Sequence, residues 1–105
     1  MSGDPIDWAR VAELLEDIGE EDFAEVAGLF LEEIAETAEP LDPAASDLSA
    51  QLHGLKGSAL NLGFATLAGL AAQGEAAPDT ADIPAIRAAC ADATAALRAC
   101  HPDIA

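Results

Sequence analysis

Apolar residues recur every three to four positions along most of the chain, which is the spacing of an amphipathic helix. No stretch of useful length alternates with a period of two, so strands are not predicted. The spacing predicts five helices. Their apolar stripes are Trp8/Val11/Ala12/Leu15/Ile18, Phe23/Ala27/Phe30/Leu31/Ile34/Ala38, Ala45/Leu48/Leu52/Leu55/Ala59/Leu62, Leu67/Leu70/Ala71, and Ile83/Ile86/Cys90/Ala93/Leu97/Cys100.

Residues with strong end preferences set the predicted bounds. Asp7 is placed to cap the first helix and Gly19 to end it; three acids suit the N-terminus of the second, and Pro40 ends it. Asp42-Pro43 is typical of a cap followed by a first helical residue, so the third helix is expected to begin there and to break at Gly63. The fourth is expected to end near Gly74-Glu75, a loop to cover 76–81, and the fifth to run from Asp82-Ile83-Pro84 to Pro102.

Short connections between helices favour antiparallel neighbours. The predicted fold class is therefore all-α: an antiparallel up-and-down four-helix bundle with a short additional N-terminal helix. The second and fifth helices, at roughly 20 residues, should be the longest. A chain of 105 residues, 51% of them apolar, allows one domain over 1–105 with a packed core.

Acidic residues outnumber basic ones by 20 to 4, giving a net charge of −16. Such a surface repels nucleic-acid phosphates and anionic lipid headgroups. No apolar run approaches the ~20 residues of a membrane span, and the N-terminus shows no secretion signal. We therefore expect a cytoplasmic protein with no nucleic-acid or membrane partner.

One cluster in the third helix departs from this plain pattern: Gln51-Leu52-His53-Gly54-Leu55-Lys56-Gly57-Ser58. His53 falls ~130° from the centre of the apolar stripe, on the solvent side. Lys56, the only lysine in the chain, follows at i+3, beside the imidazole. Gly54 and Gly57 each cost ~1 kcal/mol relative to alanine inside a helix, and the core pattern does not require them. Gly57, at i+4, leaves space beside the ring.

Zinc binding and hydrolysis are poorly supported as chemistry for this cluster. Zinc needs several ligands, and the other histidine, His101, is at the far end of the chain. Ser58 has no nucleophile elbow around it. Phosphoryl transfer fits better, because a neutral imidazole is a good nucleophile and a nearby ammonium stabilises the transferred group. The chain lacks a glycine-rich nucleotide loop, so the phosphoryl group would come from another protein and the chain would not be an enzyme with its own kinase site.

The segment His53-Gly54-Leu55-Lys56-Gly57-Ser58-Ala59, with Gly63 following, resembles the signature of histidine-containing phosphotransfer (HPt) domains. The resemblance extends to Asp7–Val11 and Gly19–Phe23 and implies the same four-helix fold. It implies that His53 accepts a phosphoryl group from a receiver-domain aspartate and passes it to another receiver. By position, Lys56 stabilises that group, Gly57 keeps the surface open, and Ser58 assists by hydrogen bonding. Glu75 would orient the imidazole by accepting the Nδ1 proton.

The resemblance also implies the partners: receiver domains of a hybrid sensor kinase and of a response regulator. Mg²⁺ would belong to the receiver, and no cofactor is expected on this chain, which we expect to be a free-standing carrier and a monomer. Leu29 falls off the main stripe of the second helix, and we expect it to belong to a partner-facing apolar patch near the site. Two alternatives share the size and charge: a non-phosphorylated acidic helical adaptor, and an acyl carrier, for which Ser46-Asp47-Leu48 has the wrong order. Gly54 and Gly74 depart from the family pattern, where bulkier residues are common.

Overall fold

The computed structural model describes residues 5–104, and this range is all-helical. Its α-helices are α1 (Trp8–Ile18), α2 (Glu20–Ala38), α3 (Leu48–Leu62), α4 (Ala65–Ala76) and α5 (Ile83–Cys100), with a short 3-10 helix at Pro78–Thr80 inside the predicted loop. The all-α class and the five helices are confirmed. The longest are α2, with 19 residues, and α5, with 18. Within residues 5–104, no helix has both the length and the apolar character to cross a membrane.

Local signals account for most of the helix ends. The Asp7 carboxylate accepts hydrogen bonds from the amides of Ala9 and Arg10, which caps α1. Asp82 accepts from the amide of Ala85 at the start of α5. Because these caps depend on residues only two or three positions away, their sequence signals were sufficient.

The predicted start of the third helix at Asp42-Pro43 was wrong, because α3 begins at Leu48. The Asp42 carboxylate accepts from the amide of Ala44 at 2.9 Å, and its carbonyl accepts from Ala45 at 3.0 Å. These bonds close a local turn that does not propagate into a helix. The guanidinium of Arg87, from α5, donates to the carbonyls of Ala38, Glu39 and Leu41. These long-range hydrogen bonds hold the residues that follow α2 in a non-helical conformation.

The core lies between helices that contact one another in a closed series. Helix α3 packs against α2 and, most extensively, α4; α4 packs against α5, and α5 against α2, while α1 lies on α2 and α3. The stripe residues Phe23, Leu52 and Leu97 are buried in this core as predicted, and Phe30 is partly buried against it. Seven core residues lie outside every predicted stripe: Ile6, Leu14, Leu41, Phe64, Ala68, Ala89 and Ile104.

The corner between α3 and α4 fixes the position of α1. Gly63 ends α3 with a φ of +76°, in the left-handed region. Its carbonyl accepts a 2.6 Å hydrogen bond from the amide of Asp7, and a Cβ at Gly63 would lie 2.7 Å from the Asp7 carbonyl oxygen. Arg10 adds a hydrogen bond to the carbonyl of Asn61. Only glycine allows this backbone conformation and this approach together.

Candidate functional site

His53 projects into solvent from the middle of α3. Its side chain is 68% exposed, whereas its neighbours Leu52 and Leu55 are buried in the core. The structure thus places the imidazole on the side of α3 that the stripe angle indicates. A ring in this position can be reached by a partner without any movement of the core.

Glu75, in the last turn of α4, forms a hydrogen bond with the Nδ1 atom of the imidazole. Its Oε2 lies 2.8 Å from Nδ1 of His53. A carboxylate only accepts hydrogen bonds, so this contact places the ring proton on Nδ1. In a neutral imidazole, Nε2 then keeps its lone pair and is the nucleophilic atom. The chemistry available at this position is therefore attack by Nε2 on an electrophile brought from outside.

Lys56 meets the same carboxylate. Its Nζ lies 2.7 Å from Oε1 of Glu75, and its side chain is 29% exposed. Glu75 thus bridges the lysine and the histidine, one oxygen to each. The pKa of the Glu75 carboxyl is lowered, first by its hydrogen bond with Lys56 and then by that with His53. The i+3 spacing places Lys56 beside the ring, but the shared carboxylate depends on the pairing of α3 with α4, which the spacing does not contain.

Two further residues position Glu75. The Ser49 hydroxyl, on α3, donates to the Glu75 carbonyl at 3.0 Å. Gly74 is buried where α4 meets α3, and a Cβ there would lie 2.7 Å from Cδ1 of Leu52 and 3.1 Å from Cβ of Ala81. Gly74, which departs from the family pattern, is therefore a position where the two helices pack too closely for a larger side chain. The sequence indicated Ser49 only as a small side chain one turn before His53, and it gave no sign of the hydrogen bond to α4.

Space around the imidazole comes from the two helix glycines. A Cβ built at Gly54 or at Gly57 would have no heavy atom of the described residues within 4 Å, apart from its own chain neighbours and helix backbone. Neither glycine is therefore needed for packing against residues 5–104. Their absent side chains leave bare helix surface beside His53, as expected for Gly57.

Ser58 lies away from His53, whereas the resemblance implied a position near the imidazole. Its side chain is buried, and its hydroxyl donates to Oε1 of Glu33 on α2 at 2.6 Å. Five residues along a helix amount to ~140° of rotation, which turns Ser58 away from His53 and toward the α2–α3 contact. The hydrogen bond expected near the imidazole is instead made between helices. In this structure Ser58 ties α3 to α2.

The other histidine does not join this site. The His101 ring, at the end of α5, packs on Phe23 of α2 with a 4.9 Å centroid separation. Across residues 5–104, no three of the His, Cys, Asp and Glu side chains are grouped so as to hold a metal ion. The site consists of one imidazole, one ammonium and one carboxylate from α3 and α4.

The fold and this site describe an all-helical domain that presents one histidine beside a lysine. The family model of the Hpt domain matches residues 8–101, nearly the whole chain, and the chain belongs to this family. Hpt domains have a phosphotransfer role in two-component signalling, as carriers rather than kinases, and interact with receiver domains. Comparisons with curated proteins and with solved structures gave no significant match.

Proposed function

We propose that this chain is a histidine phosphocarrier in which His53 accepts a phosphoryl group from a receiver-domain aspartate and passes it to another receiver. The observation that carries the proposal is the exposed imidazole with its Nδ1 held 2.8 Å from the Glu75 carboxylate. We further propose that 1–105 is one domain, with α2 to α5 as an antiparallel four-helix bundle and α1 as the additional helix. The closed series of helix contacts supports that arrangement.

The transfer step is a displacement at phosphorus. The Nε2 lone pair of His53 forms the new N–P bond while the bond from phosphorus to the aspartyl oxygen breaks, and the aspartate leaves as a carboxylate. The ring keeps its Nδ1 proton, which stays hydrogen-bonded to the Glu75 carboxylate, and becomes cationic. The Lys56 ammonium stabilises the phosphoryl oxygens, on which negative charge is spread. Mg²⁺ would act on the receiver side, and transfer to the second receiver runs the same step in reverse.

Exposed apolar side chains on α3 and α2 suit a protein donor. Leu60 lies two turns after His53 on the same face of α3, and its side chain is 56% exposed. Leu29 on α2 is 62% exposed and borders a groove of about 260 Å³ with Val26, Phe30 and Glu33. Exposed apolar patches that are rimmed by polar residues are typical of protein contact surfaces. We propose that receiver domains of a hybrid sensor kinase and of a response regulator dock here.

The direct test is transfer of a radioactive phosphoryl group from a phosphorylated receiver domain to the full chain. We expect a label that is labile in acid and stable in base, that is lost in His53→Gln and that is retained in the control His101→Gln. A label that survives in His53→Gln would show that another residue is the acceptor. Absence of label on the wild type would instead favour an adaptor that binds partners without being phosphorylated.

Lys56→Ala should slow the transfer while leaving the helical fold intact. The loss of one charged group that stabilises a transition state commonly costs about 100-fold or more in rate, and the partly exposed Lys56 contributes little to the core. Lys56→Arg, which keeps the charge, is the matched control. Rapid-quench labelling measures the rate and circular dichroism checks the fold. Equal rates for wild type and Lys56→Ala would contradict the electrostatic role.

A further inference from the structure

We infer that Glu75 biases the phosphoryl group toward leaving His53, because its carboxylate competes for Lys56 and repels the phosphoryl anion. This inference rests on the proposed function and concerns the balance of the reaction rather than the identity of the acceptor. A site with this bias passes the phosphoryl group on to a receiver rather than retaining it on His53.

The competition follows from how the charges are paired. Before phosphorylation, one carboxylate and one ammonium offset each other, with Oε1 of Glu75 2.7 Å from Nζ of Lys56. Oε1 is shielded from solvent, so water replaces the ammonium poorly. A phosphoryl group on Nε2 adds about two negative charges. Because the charge of Lys56 is already offset by Glu75, the ammonium stabilises the phosphoryl group less than an unpaired ammonium would, so retention of the group on His53 is disfavoured.

The same carboxylate improves the leaving group. While Oε2 of Glu75 holds a proton on Nδ1, the N–P bond breaks to release a neutral imidazole. Without that proton, the departing group would be an imidazolate anion, which is a much poorer leaving group. The electron pair of the N–P bond returns to Nε2, and the phosphoryl group goes to the incoming aspartate oxygen. The carboxylate therefore raises the rate of departure.

Glu75 is not free to withdraw from this competition. The Ser49 hydroxyl binds its backbone carbonyl at 3.0 Å, and the close contact at Gly74 holds the last turn of α4 against α3. Its carboxylate is engaged by both partners from α3. We therefore assign Ser49 as a positioning residue that acts through Glu75.

Glu75→Gln is the decisive variant, because it keeps a side-chain oxygen for the Nδ1 proton and removes the charge. The full chain is phosphorylated with potassium phosphoramidate, and the phosphohistidine lifetime is followed by ³¹P NMR. Equilibrium partition is then measured against one phosphorylated receiver domain. Removal of a like charge about 6 Å from a phosphoryl group should shift the equilibrium toward His53 by roughly five-fold and lengthen the lifetime. Asp92→Asn on α5, which packs against α4 and α2, is the control for total charge and should match the wild type.

A double-mutant cycle separates competition from simple repulsion. In a Lys56→Ala background, Glu75→Gln should shift the partition less than in the wild type, because no ammonium is released. Ser49→Ala should move the partition in the same direction as Glu75→Gln, but by less, without loss of helicity. An unchanged partition, or one shifted toward the receiver, in a Glu75→Gln chain that is still labelled on His53 would overturn this inference alone. A wild-type chain that neither donor labels would overturn the proposed function with it.

Discussion

At the scale of single residues, the site depends on one carboxylate that serves two partners. His53 and Lys56 both come from α3 and converge on Glu75 of α4, at 2.8 and 2.7 Å. The imidazole is the most exposed of the three side chains, and the Glu75 side chain is 25% exposed. The group that meets a partner is therefore at the surface, while the group that orients it is held by the fold.

The lowered pKa of the Glu75 carboxyl predicts an acid-sensitive contribution to stability. Lys56, and then His53, lower this pKa from its ordinary value of 4.5. A carboxyl whose pKa is lower in the folded than in the unfolded state stabilises the fold above the unfolded value, and this contribution is lost as the pH falls through the folded value. The free energy of unfolding of the wild type, relative to Glu75→Gln, should therefore decrease as the pH is lowered from about 5 to about 3.

Urea titrations at several pH values in that range measure this difference. Asp92→Asn removes a carboxylate that forms no ion pair with the described residues. The free energy of unfolding of the wild type, relative to this variant, should show no comparable decrease. A wild-type advantage over Glu75→Gln that stays the same across the range would contradict the ion-bridge interpretation.

Gly57 should control access to the imidazole by a protein donor. A side chain there meets open space, so Gly57→Leu is expected to fold, and its leucine would stand one turn from His53. Transfer from a phosphorylated receiver should fall by about ten-fold or more, because displacing a docked partner by even 1 Å is costly. Labelling by phosphoramidate, a small donor, should persist. Gly69→Leu, at an exposed position in α4, is the control, and equal loss with both donors would show a damaged site rather than a blocked surface.

At the scale of helices, the packing of α4 against α3 builds the site, and the corner that joins them holds α1. Gly63 combines a left-handed backbone with an approach to Asp7 that leaves no room for a Cβ. Gly74 permits the close contact at the other end of α4. The two positions act at opposite ends of the same helix and together set how α4 lies on α3.

Gly63→Ala should destabilise the domain by about 2 kcal/mol or more. The left-handed conformation alone costs a residue with a Cβ roughly 1–2 kcal/mol, and the contact with the Asp7 carbonyl oxygen adds to this. Gly28→Ala, inside α2 with open space around it, should instead stabilise by about 0.5–1 kcal/mol through helix propensity. Denaturant unfolding of both variants measures the contrast. A Gly63→Ala variant as stable as the wild type would show that the corner relaxes without cost.

At the scale of the whole molecule, charge repulsion opposes folding. The net charge is −16, and only four basic residues offset the acids. Self-repulsion of this kind is reduced when salt shortens the Debye length from ~30 Å at 0.01 M to ~3 Å at 1 M. The thermal midpoint should therefore rise between low and high sodium chloride. A midpoint that falls with added salt would show that attractive ion pairs outweigh the repulsion.

The sequence by itself determined the five helices, most of their ends and the exposure of His53. Each of these depends on residues within about four positions of one another, where helical periodicity and capping act directly. The roles of His53, Lys56, Gly57 and Glu75 came from spacing and from the resemblance to HPt domains, and they remain proposals. The resemblance also placed Ser58 at the site.

Only the tertiary structure decided how these residues meet. The bridge from Lys56 to Glu75, the contact of Ser58 with Glu33 and the late start of α3 all involve partners from different helices. Such contacts depend on the rotation and register of one helix against another, which are set by packing of the whole core. A pattern with a period of 3.6 residues indicates which face of a helix is buried, but not which residue of a neighbouring helix lies opposite.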